Sequence, residues 1–166
     1  MFSVGDLIIY STHGLCEIVE ISDKTLNNVT RTYYVMHPID DPKLKISSPV
    51  DNEKATMHPI MEKEEANGVL ESFQEPGIQW IDDSRQRNKK FQGIVNTGDR
   101  HDISNLINTL MRKEQEIRKD NKKMSIQDRK VLEQTQSIMF TELAVSLDTS
   151  FEKITKKIKG MIKQTA

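Results

Sequence analysis

Four cations crowd into six residues: Arg85, Arg87, Lys89 and Lys90. A few positions before them stands the only tryptophan, Trp80. Further pairs follow at Arg112-Lys113 and Arg129-Lys130. Between Ile81 and Lys130 there are 13 Lys or Arg against 8 Asp or Glu. Cations supplied by several helices can merge into one surface that meets phosphates without reading bases. The same residues also suit a solvated helical face with cations near helix C-termini. Trp80 has two readings as well. A lone Trp is usually a buried anchor, but an exposed aromatic beside cations can wedge against a base step.

Other chemistry has little support. The four histidines (His13, His37, His58, His101) are scattered, and none stands four residues from another, so no metal site is expected. Cys16 lies in an apolar strand context, which suits a buried inert thiol. Asp82-Asp83 are expected in the first turn of a helix, where acids suit the positive dipole end. There is no glycine-rich phosphate loop and no nucleophile elbow. The reading is a protein without catalysis, metal or cofactor.

The elements that must position these residues divide into two kinds. All five prolines fall in the first 76 of 166 residues, and none follows Gly77. Proline is costly inside helices, so a β-rich front and a helical back are expected. Charge divides similarly: residues 1–80 sum to −7 and residues 81–166 to +6, within a net −1. A single cysteine excludes an intramolecular disulfide framework. No signal peptide or apolar run of membrane-spanning length is recognisable, so a cytoplasmic protein is expected.

In the front half the residue types predict strands at Val4–Tyr10, Leu15–Ser22, Val29–Ile39 and Lys43–Ser48, with Asn27-Asn28 as a hairpin turn. Four or five short strands in under 60 residues read as a small antiparallel barrel. In the back half, Ala66, Val69, Leu70 and Phe73 define one helical face, which Gln74-Glu75-Pro76-Gly77 ends. A second helix is expected over 82–96, stopped by Gly98. A third is capped by Asp99, with Ile103, Leu106, Ile107, Leu110 and Met111 inward and Arg112-Lys113 at its end. Arg118 to Met124 reads as a solvated loop. Ser125-x-x-Asp128 resembles a capping box opening a fourth helix to about Leu147, and Thr149-x-x-Glu152 opens a fifth.

Taken in order, Val4-Gly5-Asp6, Ile9-Tyr10 and His13-Gly14 resemble the opening of the CarD/CdnL regulators, bacterial RNA polymerase-binding proteins whose front module also occurs in transcription-repair coupling factors. Thr97-Gly98-Asp99, Leu110-Met111-Arg112-Lys113, Ser125-x-x-Asp128-Arg129-Lys130-x-Leu132 and Glu142-Leu143-Ala144 continue the resemblance over about residues 1–148. It implies an α+β protein: a Tudor-like antiparallel β-barrel at 1–60 that binds polymerase, then an all-α domain of about five helices at 61–166 that contacts DNA. The barrel would dock on the polymerase β subunit by edge-strand pairing. The helices would touch promoter DNA at the upstream edge of the bubble and stabilise the open complex. Lys24 holds the place of a basic residue in the family's second strand. Ser47 stands where the family has Arg, two before the proline matched by Pro49, and Lys45 precedes it on the same strand face. Ser84 stands where the family has its wedge tryptophan, with Trp80 one helical turn earlier.

The resulting expectation is a monomeric transcription regulator with no membrane partner. Its polymerase-binding set is Lys24, Lys45, Ser47 and Pro49. Its DNA-binding set is Trp80, Arg85, Arg87, Lys89, Lys90, Arg112, Lys113, Arg129 and Lys130, giving weak binding that is not sequence-specific. The competing reading is a protein–protein adaptor that uses the barrel for another partner, with the helices as a structural prop. Clustered free cations favour the first reading; dispersed, salt-bridged ones favour the second.

Overall fold

The computed structural model describes residues 1–10, 13–52 and 57–166. The chain divides into two compact units, Met1–Ile60 and Met61–Ala166.

The first unit is a five-stranded antiparallel sheet: β1 (Leu7–Tyr10), β2 (Gly14–Leu26), β3 (Val29–Pro38), β4 (Ile46–Pro49) and β5 (Met57–Pro59). Among the described residues the strands are hydrogen-bonded in the order β4-β3-β2-β1-β5. β2 is longer than expected, running on from Ser22 to Leu26, whereas β3 ends at Pro38, one residue early. β2 and β3 run together past the core as a ribbon that ends at Leu26↔Val29. Asn27 and Asn28 close this hairpin with φ of 52° and 62°, the left-handed pair that a type I′ turn requires. The register shifts between Ile18 and Glu20, so Val19 bulges out and β2 bends. That bend keeps Ile8, Cys16, Ile18, Tyr34 and Met36 on one inner cluster. Burial pushes the Cys16 thiol up to about 11, so it stays protonated and inert.

The second unit is built from α1 (Lys63–Glu71), a 3₁₀ turn (Ser72–Gln74), α2 (Ser84–Thr97), α3 (Arg100–Lys119), α4 (Ile126–Ser146) and α5 (Phe151–Gln164). Their apolar faces converge on Phe73, Phe91, Leu106, Ile107, Leu110, Phe140, Leu143 and Ile158. Several ends differ from expectation for local reasons. Asp83 is the N-cap of α2 and accepts from the Gln86 N–H, so it precedes the first turn. Ser150, not Thr149, caps α5, because Thr149 is already used by the preceding helix end. There Asp148 adopts φ 52°, its N–H bonds Val145 O and the Thr149 N–H bonds Ala144 O, a Schellman closure. Asn121, with φ 56°, closes α3 in the same way, so Arg118 is helical and Arg112-Lys113 lie mid-helix. Among the described residues no helix is long and apolar enough to cross a membrane.

Between the 3₁₀ turn and α2 the chain crosses α3 without regular structure, and polar side chains of α3 hold it. Buried Asn108 donates to Glu75 O at 2.6 Å. Buried Thr109 accepts from the Ile78 N–H at 2.8 Å and donates to Asn105 O. Gly77 sits between these pins at φ 82°, and a Cβ there would stand 2.5 Å from Thr109 Oγ1. Gly77→Ala therefore carries both the left-handed penalty, about 1–2 kcal/mol, and displacement of Thr109. We expect a loss of at least 2 kcal/mol on the same scale, measured by urea unfolding, with far less for an alanine at exposed Gly93, which nothing crowds.

Candidate functional site

On the sheet, one face of β2, β3 and β4 carries Lys24, Tyr33 and Ser47 side by side. Lys24 Nζ lies 5.7 Å from the Tyr33 ring centroid and donates to Ser47 Oγ at 2.8 Å. Lys24 stands on β2, which lies inside the sheet order. Its long side chain crosses β3 to reach β4. Ser47 is thus the acceptor that holds Lys24 against the sheet, a job an Arg could not do. Lys45 is exposed and lies just ahead of β4, so it is not on the strand with Ser47. Pro49 is half-buried opposite Tyr33. β4 pairs with β3 only, and its outer edge carries no strand among the described residues. Proline at the end of such a strand loses no ladder bond.

In the helical unit the expected cations separate into two populations. Arg87 does not face solvent. Its side chain is 9% exposed and forms a two-pronged ion pair with Asp128, whose side chain is 8% exposed. Nη2 meets Oδ2 at 2.9 Å, and Nε reaches both carboxylate oxygens at 3.2 Å. Nη1 donates to Ile81 O and Asp82 O. The expected phosphate contact at Arg87 is therefore corrected. A guanidinium consumed by a buried carboxylate and two carbonyls has a structural task. Asp128 departs from the expected capping box too: its N–H takes the Ser125 cap, but its carboxylate serves Arg87.

Arg112 is corrected in the same sense. It bonds Asn108 Oδ1, Phe73 O and the Thr165 hydroxyl and carbonyl, tying α3 to the 3₁₀ turn and to the end of α5. Desolvation lowers its pKa from the usual arginine value. Lys113 lies 3.6 Å from Glu116 and 5.0 Å from the Trp80 ring centroid.

The second population is free. Arg85, Lys89, Lys90 and Lys130 are exposed and Arg129 half-exposed, and none has a side-chain hydrogen bond or ion pair among the described residues. Trp80 is half-buried. Its ring meets the edge of Phe91 at 6.1 Å and carries the Arg87 guanidinium at 4.6 Å. Cations over an indole face are favourable contacts in their own right. Sequence reasoning missed the groups that aim this residue: Asn108, Thr109 and Asp128. The available signal was polarity inside an apolar helical stripe, since Asn108-Thr109 interrupt Leu106-Ile107 and Leu110-Met111.

A second buried pair lies at the other end of α4. Glu142 accepts from Arg100 at 2.7 and 3.0 Å and from the Met61 N–H at 3.0 Å, while Ser146 donates to Met61 O. One turn of α4 thereby clamps both main-chain groups of the first residue of the unit. Burial raises the Glu142 pKa, and Arg100 and the Met61 N–H pull it only partly back. The described residues hold no cluster of ligands suited to a metal ion.

Residues 2–61 match the family model for the CarD-like/TRCF RID domain, and residues 68–159 match that for the CarD C-terminal domain. Both halves thus define the class, RNA polymerase-interacting transcription regulators. The chain belongs to the CarD-like family. No curated protein sequence matches it.

Two outcomes follow from the buried pairs. Arg87→Met alone strands Asp128 and should cost about 3–5 kcal/mol, whereas Arg87→Met with Asp128→Leu should recover most of that loss. Denaturant unfolding of the three proteins tests this. For Glu142 the folded pKa lies above the unfolded one. Its contribution is therefore full below the ordinary value of 4.5 and fades as pH rises through the raised folded value. Arg100→Ala removes the main counterweight. It should cost about 3 kcal/mol at neutral pH, and the deficit relative to the parent should shrink as pH is lowered and the carboxyl is neutralised.

Proposed function

We propose that the sheet docks on the β subunit of RNA polymerase through its β4 edge, and that the helical unit steadies the open promoter complex by contacting DNA beside the melted bubble. The observation that carries this reading is the separation of the cations: Arg87 and Arg112 are spent inside, while Arg85, Lys89 and Lys90 stand free on α2 beside a pinned Trp80. Unpaired cations clustered on one helix suit a phosphate-facing surface better than a salt-bridged structural prop. Membership of a polymerase-interacting family supports the docking half. The open β4 edge supplies main-chain donors and acceptors for strand addition, with Lys24 and Tyr33 on the face beside it.

Free lysines give sequence-tolerant phosphate contacts, so promoter choice rests with the polymerase already in place. The near-neutral net charge gives the protein little long-range attraction to DNA by itself. Trp80, half-buried and backed by Phe91, offers an indole against which an opened base step can pack.

A crossed pair of variants tests the division of labour. Lys89→Ala/Lys90→Ala should leave polymerase affinity unchanged and shorten open-complex lifetime. Lys24→Glu should weaken polymerase affinity while leaving the melting temperature within a degree or two, because exposed charges carry little stability. Loss of polymerase affinity in the α2 variant, or none in the Lys24 variant, contradicts the proposal.

A further inference from the structure

α5 divides into two faces. Ile154, Ile158 and Ile162 are buried, and the helix packs on α3, α4 and the 3₁₀ turn. The opposite face carries Lys153, Lys156, Lys157, Lys159 and Lys163. At about 100° per residue they spread over roughly 160° of the helix. All five are exposed, and none has a side-chain hydrogen bond or ion pair among the described residues. Lys156, Lys159 and Lys163 form one row, and Lys153 and Lys157 another. Gly160 lies between the rows, and a Cβ there would meet nothing within 4 Å.

This arrangement works against the helix that carries it. Lys153 stands three and four residues from Lys156 and Lys157, Lys156 three from Lys159, and Lys159 four from Lys163, the spacings at which like charges repel. Lys153 also lies in the first turn, at the positive end of the helix dipole. A glycine in a helix interior weakens it further. A polyanion laid on this face relieves each repulsion at once. None of the five lysines belongs to the DNA-binding set expected from the sequence.

We infer that this face of α5 is a separate contact for duplex DNA, in which the lysines meet phosphates and Gly160 lets the sugar–phosphate chain close on the helix between the two rows. The inference rests on the proposed DNA contact of the helical unit and adds a face to it. Lys153 to Lys163 span about 15 Å of helix, a length that faces about four phosphates of one strand. The chemistry favours a phosphate chain over a protein. Lysine is depleted from protein interfaces, whose anchors are Trp, Tyr and Arg, and this face carries none of the three. Phe151, 41% exposed, meets the Phe140 ring at 6.0 Å on the packed side. With no aromatic to pack against an opened step, the face suits paired DNA read by its phosphates alone. Lipid is disfavoured, because the apolar side that a surface helix would insert is already buried in the core.

The test uses the full chain and a fluorescent, fully paired duplex, followed by anisotropy over a series of salt concentrations. Lys156→Ala/Lys157→Ala should flatten the slope of log affinity against log salt by about 1.8, at about 0.9 per phosphate contact. Its melting temperature should not fall, since the change removes like-charge pairs. Gly160→Gln should raise the melting temperature and lower DNA affinity severalfold with the slope unchanged. Lys89→Ala/Lys90→Ala, run in parallel, reports on α2 alone. If the α2 variant flattens the slope and the α5 variant does not, the α5 contact is refuted and the α2 contact stands. If the α5 variant flattens it and the α2 variant does not, the inference holds and the α2 contact fails. If neither changes the slope, both fail. If the α5 variant keeps the parental slope on DNA but loses affinity for polymerase, or for vesicles of anionic phospholipid, the face serves another partner and the inference is overturned.

Discussion

The Arg87–Asp128 pair is the interaction on which the geometry of the helical unit depends. It joins α2 to the first turn of α4, and the remaining arginine donors reach back to the carbonyls of Ile81 and Asp82. A buried ion pair is a poor source of net stability, since desolvation offsets most of the attraction. Its value here is positional. It can be satisfied only when α2, α4 and the segment before α2 are all in place, so it selects one arrangement among those an apolar core would tolerate. Trp80 inherits that precision through the guanidinium lying over its ring.

The same economy runs along α3. Asn108, Thr109 and Arg112 occupy positions one might fill with apolar residues, and each spends its hydrogen bonds on main-chain groups of the irregular segment or its neighbours. A segment with no secondary structure of its own leaves carbonyls and N–H groups that must be satisfied when it lies against a core. The helix beneath supplies the partners. Glu142 and Ser146 do the same for Met61 at the start of the unit. These bonds tie the irregular backbone to the helices beneath it at Glu75, Ile78 and Met61.

In the sheet the organising constraint is different. β2 and β3 extend well beyond their common core, and the bulge at Val19 bends them to fold back over Cys16, Ile18 and Met36. On the opposite face, Lys24 donates to Ser47 across β3. A short hydroxyl at that place immobilises a lysine from two strands away.

Much of this was written in local sequence. The proline distribution, the shift from strand-like to helical spacing, the Asn27-Asn28 turn and the stop at Gly98 are short-range signals, and they place the units and most helix ends to within a few residues. Residue order also revealed the family. What local sequence could not determine was which cations are free. Arg85 and Arg87 stand two apart on one helix with the same neighbours in composition, yet one is exposed and the other buried. The difference is made by Asp128, 41 residues further on. Likewise Arg112 looks like a surface cation until Phe73 O and the Thr165 hydroxyl are found beside it. Charge is a property of the residue, but its availability depends on partners that only tertiary packing brings within a few ångströms. For that reason the sequence by itself determined the class of protein and the location of its basic helices, and the fold alone decided which of their cations stay exposed and unpaired.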